Sequence, residues 1–265
     1  MRTTLTTSIL TAVVAVLGVA APAHAIVYGQ PDGDRHRQTG SYAIQTPDGF
    51  RSICSGTLIS PTVFLTASHC TAAAEANGFE DAWVSFDEHP TATSPHRRGT
   101  AFTHPEFGFS GPGGRSDPHD IAVIVLDEPV AGITPAKLPG RGLLDRMSAR
   151  TLKSAAFTAV GYGAVRESRK QGPQGIGEGG SRRSAEQHAV SLQPSWLELS
   201  MNQATGDGGT CYGDSGGPHF LGGPASDLVV SITVTGDAVC KATDKTYRLD
   251  TASARAFLDD FVALP

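Results

Sequence analysis

Gly213-Asp214-Ser215-Gly216-Gly217-Pro218 places one serine between glycines near the C-terminal end of a 265-residue chain. A serine hydroxyl attacks a carbonyl carbon well only when a base removes its proton and nearby donors stabilise the oxyanion that forms. Glycines allow the backbone to turn sharply and to present its amide hydrogens. The stretch therefore predicts a nucleophile at Ser215.

The same residues match the Gly-x-Ser-x-Gly turn of α/β-hydrolases, and chain order separates the two interpretations. In that fold an acid and then a histidine follow the serine. Here the only histidine after Ser215 is His219, four residues on, which leaves no room for the helix that must come between them. A base and an acid for Ser215 must then lie upstream.

Short apolar stretches separated by turn residues dominate the chain, which contains 31 glycines and 17 prolines. The helices that a parallel sheet needs between its strands are missing. One helix is predicted at the C-terminus, where apolar residues from Ala254 to Val262 share a face behind a cap at Asp250 or Thr251. The pattern predicts an all-β sandwich or barrel. Strands are predicted at 56–59, 63–66, 82–86, 121–126, 157–160 and 228–234.

Two upstream motifs supply the missing base and acid. Thr66-Ala67-Ser68-His69-Cys70 follows an apolar strand, and His119-Asp120-Ile121-Ala122-Val123 opens a buried one. With the Ser215 motif, and in this order, they resemble the chymotrypsin-like serine proteases, most of all the secreted trypsin-like enzymes of actinobacteria. The resemblance extends from Ile26 to the terminal helix.

The resemblance implies an all-β fold of two antiparallel six-stranded β-barrels packed together, with a C-terminal α-helix. Barrel one would occupy about 26–140, barrel two about 141–250 and the helix about 251–264. All three would lie within one protease domain, 26–265.

The resemblance also implies a role for each site residue. Ser215 would be the nucleophile, His69 the general base and then the general acid, and Asp120 the group that orients His69. The backbone amides of Gly213 and Ser215 would form the oxyanion hole. No cofactor is expected.

Four cysteines lie after residue 25. An even number in an exported chain predicts two disulfides, and the residues alone leave three pairings open. In the family, one bridge closes the loop of the catalytic histidine and another braces the serine loop. This implies the bridges Cys54–Cys70 and Cys211–Cys240.

The first 25 residues have the pattern of a secretory signal peptide. Arg2 gives a positive start, an apolar run extends from Ile9 to Ala21, and Ala23-His24-Ala25 supplies the small residues of a cleavage site. The run is shorter than the roughly 20 residues of a membrane-spanning helix. We therefore expect a secreted, extracellular protein.

Ile26-Val27-Tyr28-Gly29 follows this cleavage site directly. The resemblance implies that these residues form the mature N-terminus, whose new α-amino group pairs with Asp214. No propeptide fits between Ala25 and Ile26. Signal peptidase alone is therefore predicted to activate the enzyme.

Substrate preference is where the sequence departs from the family. The residue two before Cys211 is Gly209, whereas trypsins carry an aspartate there. Val234-Thr235-Gly236 replaces the Ser-Trp-Gly that is frequent in the strand pairing with substrate. Cleavage after an uncharged, apolar residue is predicted. The implied substrate-binding residues are Gly209, Thr210, Tyr212, Val234, Thr235 and Gly236; the nearby charges of Asp237, Asp244 and Lys245 are interpreted as solvated.

The formal net charge of −5 and the lack of a basic block argue against nucleic acid as a partner. We expect a protein or peptide substrate, no membrane after signal removal, and a monomer. The pairs Arg97-Arg98 and Arg182-Arg183 are interpreted as solvated, and His119 as a packed or surface residue. The histidines at 36, 89, 96, 104 and 188 lack metal-ligand spacing and are interpreted as surface residues.

No metal is expected, although Glu75, Glu80 and Asp81 lie where some family members bind calcium. Two other functions stay open. One is a catalytically weak homologue that acts as a binding protein. The other is an esterase of narrow specificity on the same fold, because acyl transfer uses the same residues.

Overall fold

The computed structural model describes residues 26–108, 116–166, 176–177 and 179–265. The predicted signal peptide, 1–25, lies outside these ranges. Within them, no helix has the length and apolar character needed to cross a bilayer.

Six antiparallel strands close the first barrel, in the order β2-β3-β4-β7-β6-β5. The predicted hairpin at Ser60-Pro61 joins β3 to β4, and the Ser60 hydroxyl accepts a hydrogen bond from the Val63 amide at 3.1 Å. The apolar run predicted at 121–126 forms the buried strand β7. The strands are β2 (Thr39–Thr46), β3 (Gly49–Ser60), β4 (Val63–Thr66), β5 (Ala82–Ser85), β6 (Arg97–Thr103) and β7 (Ala122–Leu126).

A second antiparallel barrel follows, closed because β11 pairs with both β8 and β12. Its strands are β8 (Ala156–Gly161), β11 (Arg183–Leu192), β12 (Trp196–Ser200), β13 (Pro218–Leu221), β14 (Val229–Gly236) and β15 (Thr243–Arg248). The short strand β1 (Gln30–Pro31) adds to β11, and β9 (Val165–Arg166) pairs with β10 (Ile176–Gly177). The predicted two-barrel, all-β architecture is confirmed.

The C-terminal helix α3 (Ala252–Leu258) begins at Thr251, whose hydroxyl accepts from the Ala254 amide at 3.2 Å. It buries the predicted face through Ala254, Phe257 and Leu258. The helix ends at Leu258, before the predicted residue 264. The next two residues, Asp259 and Asp260, carry negative charges, which are unfavourable at the negative C-terminal end of the helix dipole. Two short helices were not predicted, α1 (Ser68–Ala76) and α2 (Ala149–Ser154), because neither is long enough to show a helical period.

One continuous apolar core joins the two barrels. Leu58 and Phe64 of barrel one belong to the same buried cluster as Phe220, Ile232 and Tyr247 of barrel two. The ends of β4 and β7 therefore meet the loop before β13 at the seam between the barrels, and the predicted site residues are on these segments.

Candidate active site

His69 and Asp120 form a two-point contact at this seam. His69 lies in the first turn of α1, just after β4, and Asp120 lies two residues before the start of β7. One Asp120 oxygen accepts from the His69 backbone amide at 2.9 Å, and the other contacts His69 Nδ1 at 2.8 Å. Because a buried carboxylate accepts a hydrogen bond from Nδ1–H, the proton of the neutral ring stays on Nδ1 and the other ring nitrogen, Nε2, is left free to act as a base.

Ser68 connects the segments that carry this pair. Its hydroxyl donates to the Ile121 carbonyl at 2.7 Å and accepts from the His104 amide at 3.1 Å. The residue before His69 is thus hydrogen bonded through its side chain to the residue after Asp120.

Ser55 of barrel one holds the loop that carries Ser215. Its amide donates to the Ser215 carbonyl at 2.9 Å, and its hydroxyl donates to the Gly213 carbonyl at 3.0 Å. Gly216 has φ 78°, and a Cβ there would lie 2.3 Å from Thr66 Oγ1. Only glycine fits at this approach between the barrels.

Ser215 and His69 line one cavity of about 360 Å³. Among the described residues, no hydrogen bond joins the Ser215 hydroxyl to His69. In substrate-free active sites such contacts are often long and shorten when substrate binds.

Two backbone amides of the loop that carries Ser215 take no part in the hydrogen bonds within that loop. Asp214 N–H donates to Cys211 O and Gly217 N–H donates to Asp214 O, at 3.1 and 2.8 Å. The amides of Gly213, which has φ 95°, and Ser215 have no acceptor within the described part of the chain. Free adjacent amides of this kind can stabilise an oxyanion.

Asp214 is fully buried. Its carboxylate accepts from the amides of Gly163 at 2.7 Å and Cys211 at 2.9 Å. Burial raises the pKa of Asp214 to about 7, although these two hydrogen bonds act in the opposite direction. The space for this side chain depends on Gly161, where a Cβ would lie 2.2 Å from the carboxylate.

The N-terminal segment lies beside the serine loop. Ile26 is buried, and Val27 exchanges two backbone hydrogen bonds with Gly209, at 2.7 and 3.0 Å. In the full chain the Ile26 nitrogen is in a peptide bond with Ala25 and carries no charge. An α-amino group at Ile26 therefore exists only after cleavage before Ile26.

Two disulfides brace the site. One joins Cys54 to Cys70, and the other joins Cys211 to Cys240. This is the pairing that the resemblance implies. Cys54, His69 and Cys70 also lie close enough together to suggest metal ligands, but both sulfurs are consumed by the disulfide.

A second cavity, of about 290 Å³, opens beside Ser215. Tyr212 is exposed at its mouth, where its hydroxyl donates to the Ala238 carbonyl at 3.0 Å. Gly209 is buried next to the cavity residue Thr210, and a Cβ there would lie 2.4 Å from Gln187 Nε2. Five of the six residues implied for substrate binding line this cavity: Thr210, Tyr212, Val234, Thr235 and Gly236.

Asp244 was predicted to be solvated, and this was wrong. It is fully buried in barrel two, and its carboxylate accepts from Gln187 Nε2 at 3.1 Å and contacts His219 Nε2 at 3.0 Å. This buried polar cluster was missed because Gln187 and His219 lie 57 and 25 residues away from Asp244 in the chain. Asp237, in contrast, accepts from three amides of its own exposed loop, residues 241–243.

Other polar residues predicted at the surface are also buried. His36 contacts Asp32 at 2.7 Å and stacks on Phe220, with the ring centroids 4.7 Å apart. Arg182 and Arg183 are buried as well, and Arg182 donates to the Phe86 carbonyl at 2.9 Å. His104 is buried, whereas the side chain of His188 is half-exposed and pairs with Asp207.

Comparison with known proteins places the chain in a family. The Trypsin family model matches residues 27–256. A trypsin of Saccharopolyspora erythraea is 26% identical over 81% of this chain and 88% of that protein. Kallikrein 1-related peptidase b22 of Mus musculus is 25% identical over 84% of each.

The solved structure of HL collagenase covers 85% of this chain and 93% of that chain, with a TM-score of 0.60 and 16% identity. At this identity, the likeness concerns the fold alone. The family model spans most of the chain, and both curated relatives cover more than four fifths of it. The protein therefore belongs to the trypsin family of serine-type endopeptidases.

Proposed function

We propose that this chain is a secreted endopeptidase that hydrolyses peptide bonds through an acyl-enzyme on Ser215. The observation that supports this most is the two-point contact between His69 and Asp120, with Ser215 in the same cavity. That contact fixes the His69 ring with Nε2 as the available base.

In the proposed mechanism, the Ser215 hydroxyl oxygen bonds to the scissile carbonyl carbon while its proton passes to His69 Nε2. The amides of Gly213 and Ser215 bind the oxyanion of the tetrahedral intermediate. Protonated His69, stabilised by Asp120, gives its proton to the leaving amine, and the C–N bond breaks. Water then repeats the sequence on the acyl-enzyme and releases the acid.

The proposal is tested by allowing a fluorophosphonate probe to react with protein recovered from the culture medium and mapping the labelled peptide. Label on Ser215, together with cleavage of casein, is expected. Labelling without casein cleavage, but with hydrolysis of small esters, would favour the narrow esterase. Protein that is neither labelled nor active would favour the binding protein.

The primary pocket is proposed to accept an uncharged side chain. Beneath Gly209 lie the amide of Gln187 and the thioether of Met201, and neither group is charged. The Asp244 carboxylate does not line the cavity: its Oδ2 contacts His219 and Gln187, while its Oδ1 is buried without a hydrogen-bond partner among the described residues. Among the described residues that line the cavity, Asp237 carries a carboxylate, and this group already accepts hydrogen bonds from the amides of residues 241–243.

Profiling with a peptide library is expected to show apolar residues before the cleaved bond. The same profile is expected for the Asp244→Asn variant, whose activity is compared with wild type on each substrate. A strict arginine or lysine preference that disappears in Asp244→Asn would contradict the prediction and would assign the recognition of cations to Asp244.

A further inference from the structure

The Asp120 carboxylate depends on its own backbone for its position. Among the described residues, only His69 donates hydrogen bonds to it, through the backbone amide and through Nδ1. Since both bonds come from the residue that Asp120 is proposed to orient, neither of them anchors the carboxylate from the opposite side. The turn immediately before Asp120, residues 117–119, therefore determines where the carboxylate lies.

This turn contains a backbone conformation that needs support. His119 has φ 51°, a left-handed geometry that is uncommon for a residue with a side chain. Such a conformation persists only where the surrounding contacts impose it. The His119 amide donates to Asp117 Oδ1 at 3.1 Å, its carbonyl accepts from the Ile121 amide at 2.9 Å, and its ring stacks on that of His104. The bond to Asp117 is the contact that fixes the start of the turn.

Tyr247 joins this turn to barrel two. Its hydroxyl donates to Asp117 Oδ1 at 2.8 Å, the same oxygen that accepts from the His119 amide. Tyr247 lies in β15, is fully buried, and packs edge-to-face against Trp196 with the ring centroids 6.2 Å apart. Burial raises the pKa of Tyr247 far above its ordinary value, so the hydroxyl keeps its proton and remains a donor. One carboxylate oxygen therefore connects a fixed group of barrel two to the residue before Asp120.

From this geometry we propose that Tyr247 is a positioning residue for the hydrolytic reaction, which acts through Asp117 to hold Asp120 against His69. Neither Tyr247 nor Asp117 is among the described residues that line the two cavities beside Ser215. Their effect should therefore appear in the rate of the chemical step and not in substrate binding. This effect on rate rests on the proposed function, whereas the effect on the His69–Asp120 contact does not.

The rate is tested with Tyr247→Phe, which removes the hydroxyl and keeps the ring. We expect kcat to fall about tenfold while KM stays within about twofold, because a small displacement of the reacting groups slows chemistry more than it weakens binding. The matched control is Thr246→Val, the next residue of the same strand. Its buried hydroxyl donates to the Leu197 carbonyl at 2.8 Å within barrel two, and its loss should leave both constants unchanged.

Variants of Asp117 distinguish a hydrogen-bonded link from an effect of charge. Asp117→Asn keeps an oxygen that can accept from both Tyr247 and His119 and should retain nearly the kcat of wild type, whereas Asp117→Ala should lose about tenfold. Tyr247→Phe combined with Asp117→Ala should lose no more than Asp117→Ala alone, since both changes break one link. Asp117 is partly exposed, so its variants should fold even if Tyr247→Phe does not. Equal losses in Asp117→Asn and Asp117→Ala would overturn the proposal.

The His69–Asp120 contact is followed without turnover by proton NMR of the Ser215→Ala protein, through the low-field resonance of the hydrogen-bonded Nδ1 proton of His69. Tyr247→Phe and Asp117→Ala in this background should shift or broaden the resonance, and Thr246→Val should not. A resonance that neither change affects, or a rise in KM at constant kcat, would overturn the proposal. If no protein hydrolyses any substrate while the resonance responds as expected, the proposed function fails and the positioning of Asp120 by Tyr247 stands.

Discussion

The Ser215→Ala variant is expected to hydrolyse its best peptide substrate about 10⁶-fold more slowly than wild type, measured as kcat. The loss is large because the variant lacks the hydroxyl that His69 would deprotonate, and no other group replaces it as the nucleophile. The variant should fold normally, since Ser55 holds the loop through the backbone carbonyls of Gly213 and Ser215 and not through the Ser215 side chain. Single-turnover assays with a sensitive fluorogenic peptide measure the residual rate.

The triad is expected to act as a unit, so its losses should not add. Ser215→Ala combined with His69→Ala should be nearly as active as Ser215→Ala alone, and Asp120→Asn should lose about 10⁴-fold. His188→Ala is the control, because His188 also contacts a carboxylate, Asp207, at 2.7 Å but lies outside the site. Strictly multiplicative losses would contradict the proposed mechanism.

A chain that begins at Ile26 is expected to be about 10²- to 5 × 10³-fold more active than one that retains Ala25. This ratio of activities corresponds to the roughly 3–5 kcal/mol of stabilisation that is lost when one partner of a buried ion pair is missing. Only the shorter chain has an α-amino group that can pair with the buried Asp214. N-terminal sequencing of the secreted protein should give Ile26, and kcat/KM is compared between the two forms.

Asp214→Asn provides the matched test. In the chain that begins at Ile26, this change should remove most of the activity, whereas in the extended chain it should change little, because no cation is there to lose. Full activity of the extended form would contradict activation by signal peptidase.

The extended form should also show a characteristic pH dependence of stability. Burial raises the pKa of Asp214 to about 7 from an ordinary value of 3.8. A raised carboxyl pKa favours the protonated folded state, so this contribution is complete below about pH 4 and is lost as pH rises through 7. Denaturant unfolding between pH 4 and 8 should show the decline in the extended protein and not in its Asp214→Asn variant.

In the form that begins at Ile26, the ammonium group should lower the pKa of Asp214, and the decline should shrink or reverse. The favourable pairing then lasts until the amino group loses its proton, which ordinarily occurs near pH 8. An identical decline in both forms would show that Ile26 and Asp214 do not pair.

The strands were predictable because they are encoded over short distances, whereas the two-barrel arrangement and the roles of His69, Asp120 and Ser215 were implied by the family resemblance. A continuous apolar run gives the buried strand β7, and His69, Asp120 and Ser215 are each embedded in a recognisable local motif. The disulfide pairing followed from the family resemblance, since four cysteines alone allow three pairings. The helix α3 was predictable from its apolar face, although its end was not.

Buried polar residues were not predictable, because burial of a charge depends on partners that are distant in the chain. Asp244 contacts Gln187, 57 residues away, and Arg182 contacts the Phe86 carbonyl, 96 residues away. A histidine or arginine without such partners would remain in water. The residues next to Asp244 and Arg182 in the sequence therefore do not indicate whether these side chains are exposed or buried.

The contacts of Ser55 have a consequence for protein engineering. The proposed nucleophile, Ser215, comes from the second half of the chain and its proposed base, His69, from the first, and Ser55 hydrogen bonds across the seam to the loop that carries Ser215. A hybrid that takes its first barrel from this chain and its second from a relative would inherit its two reacting groups from different parents. In such a recombinant the crossover point matters less than the match between this serine and the carbonyl groups of the loop it receives.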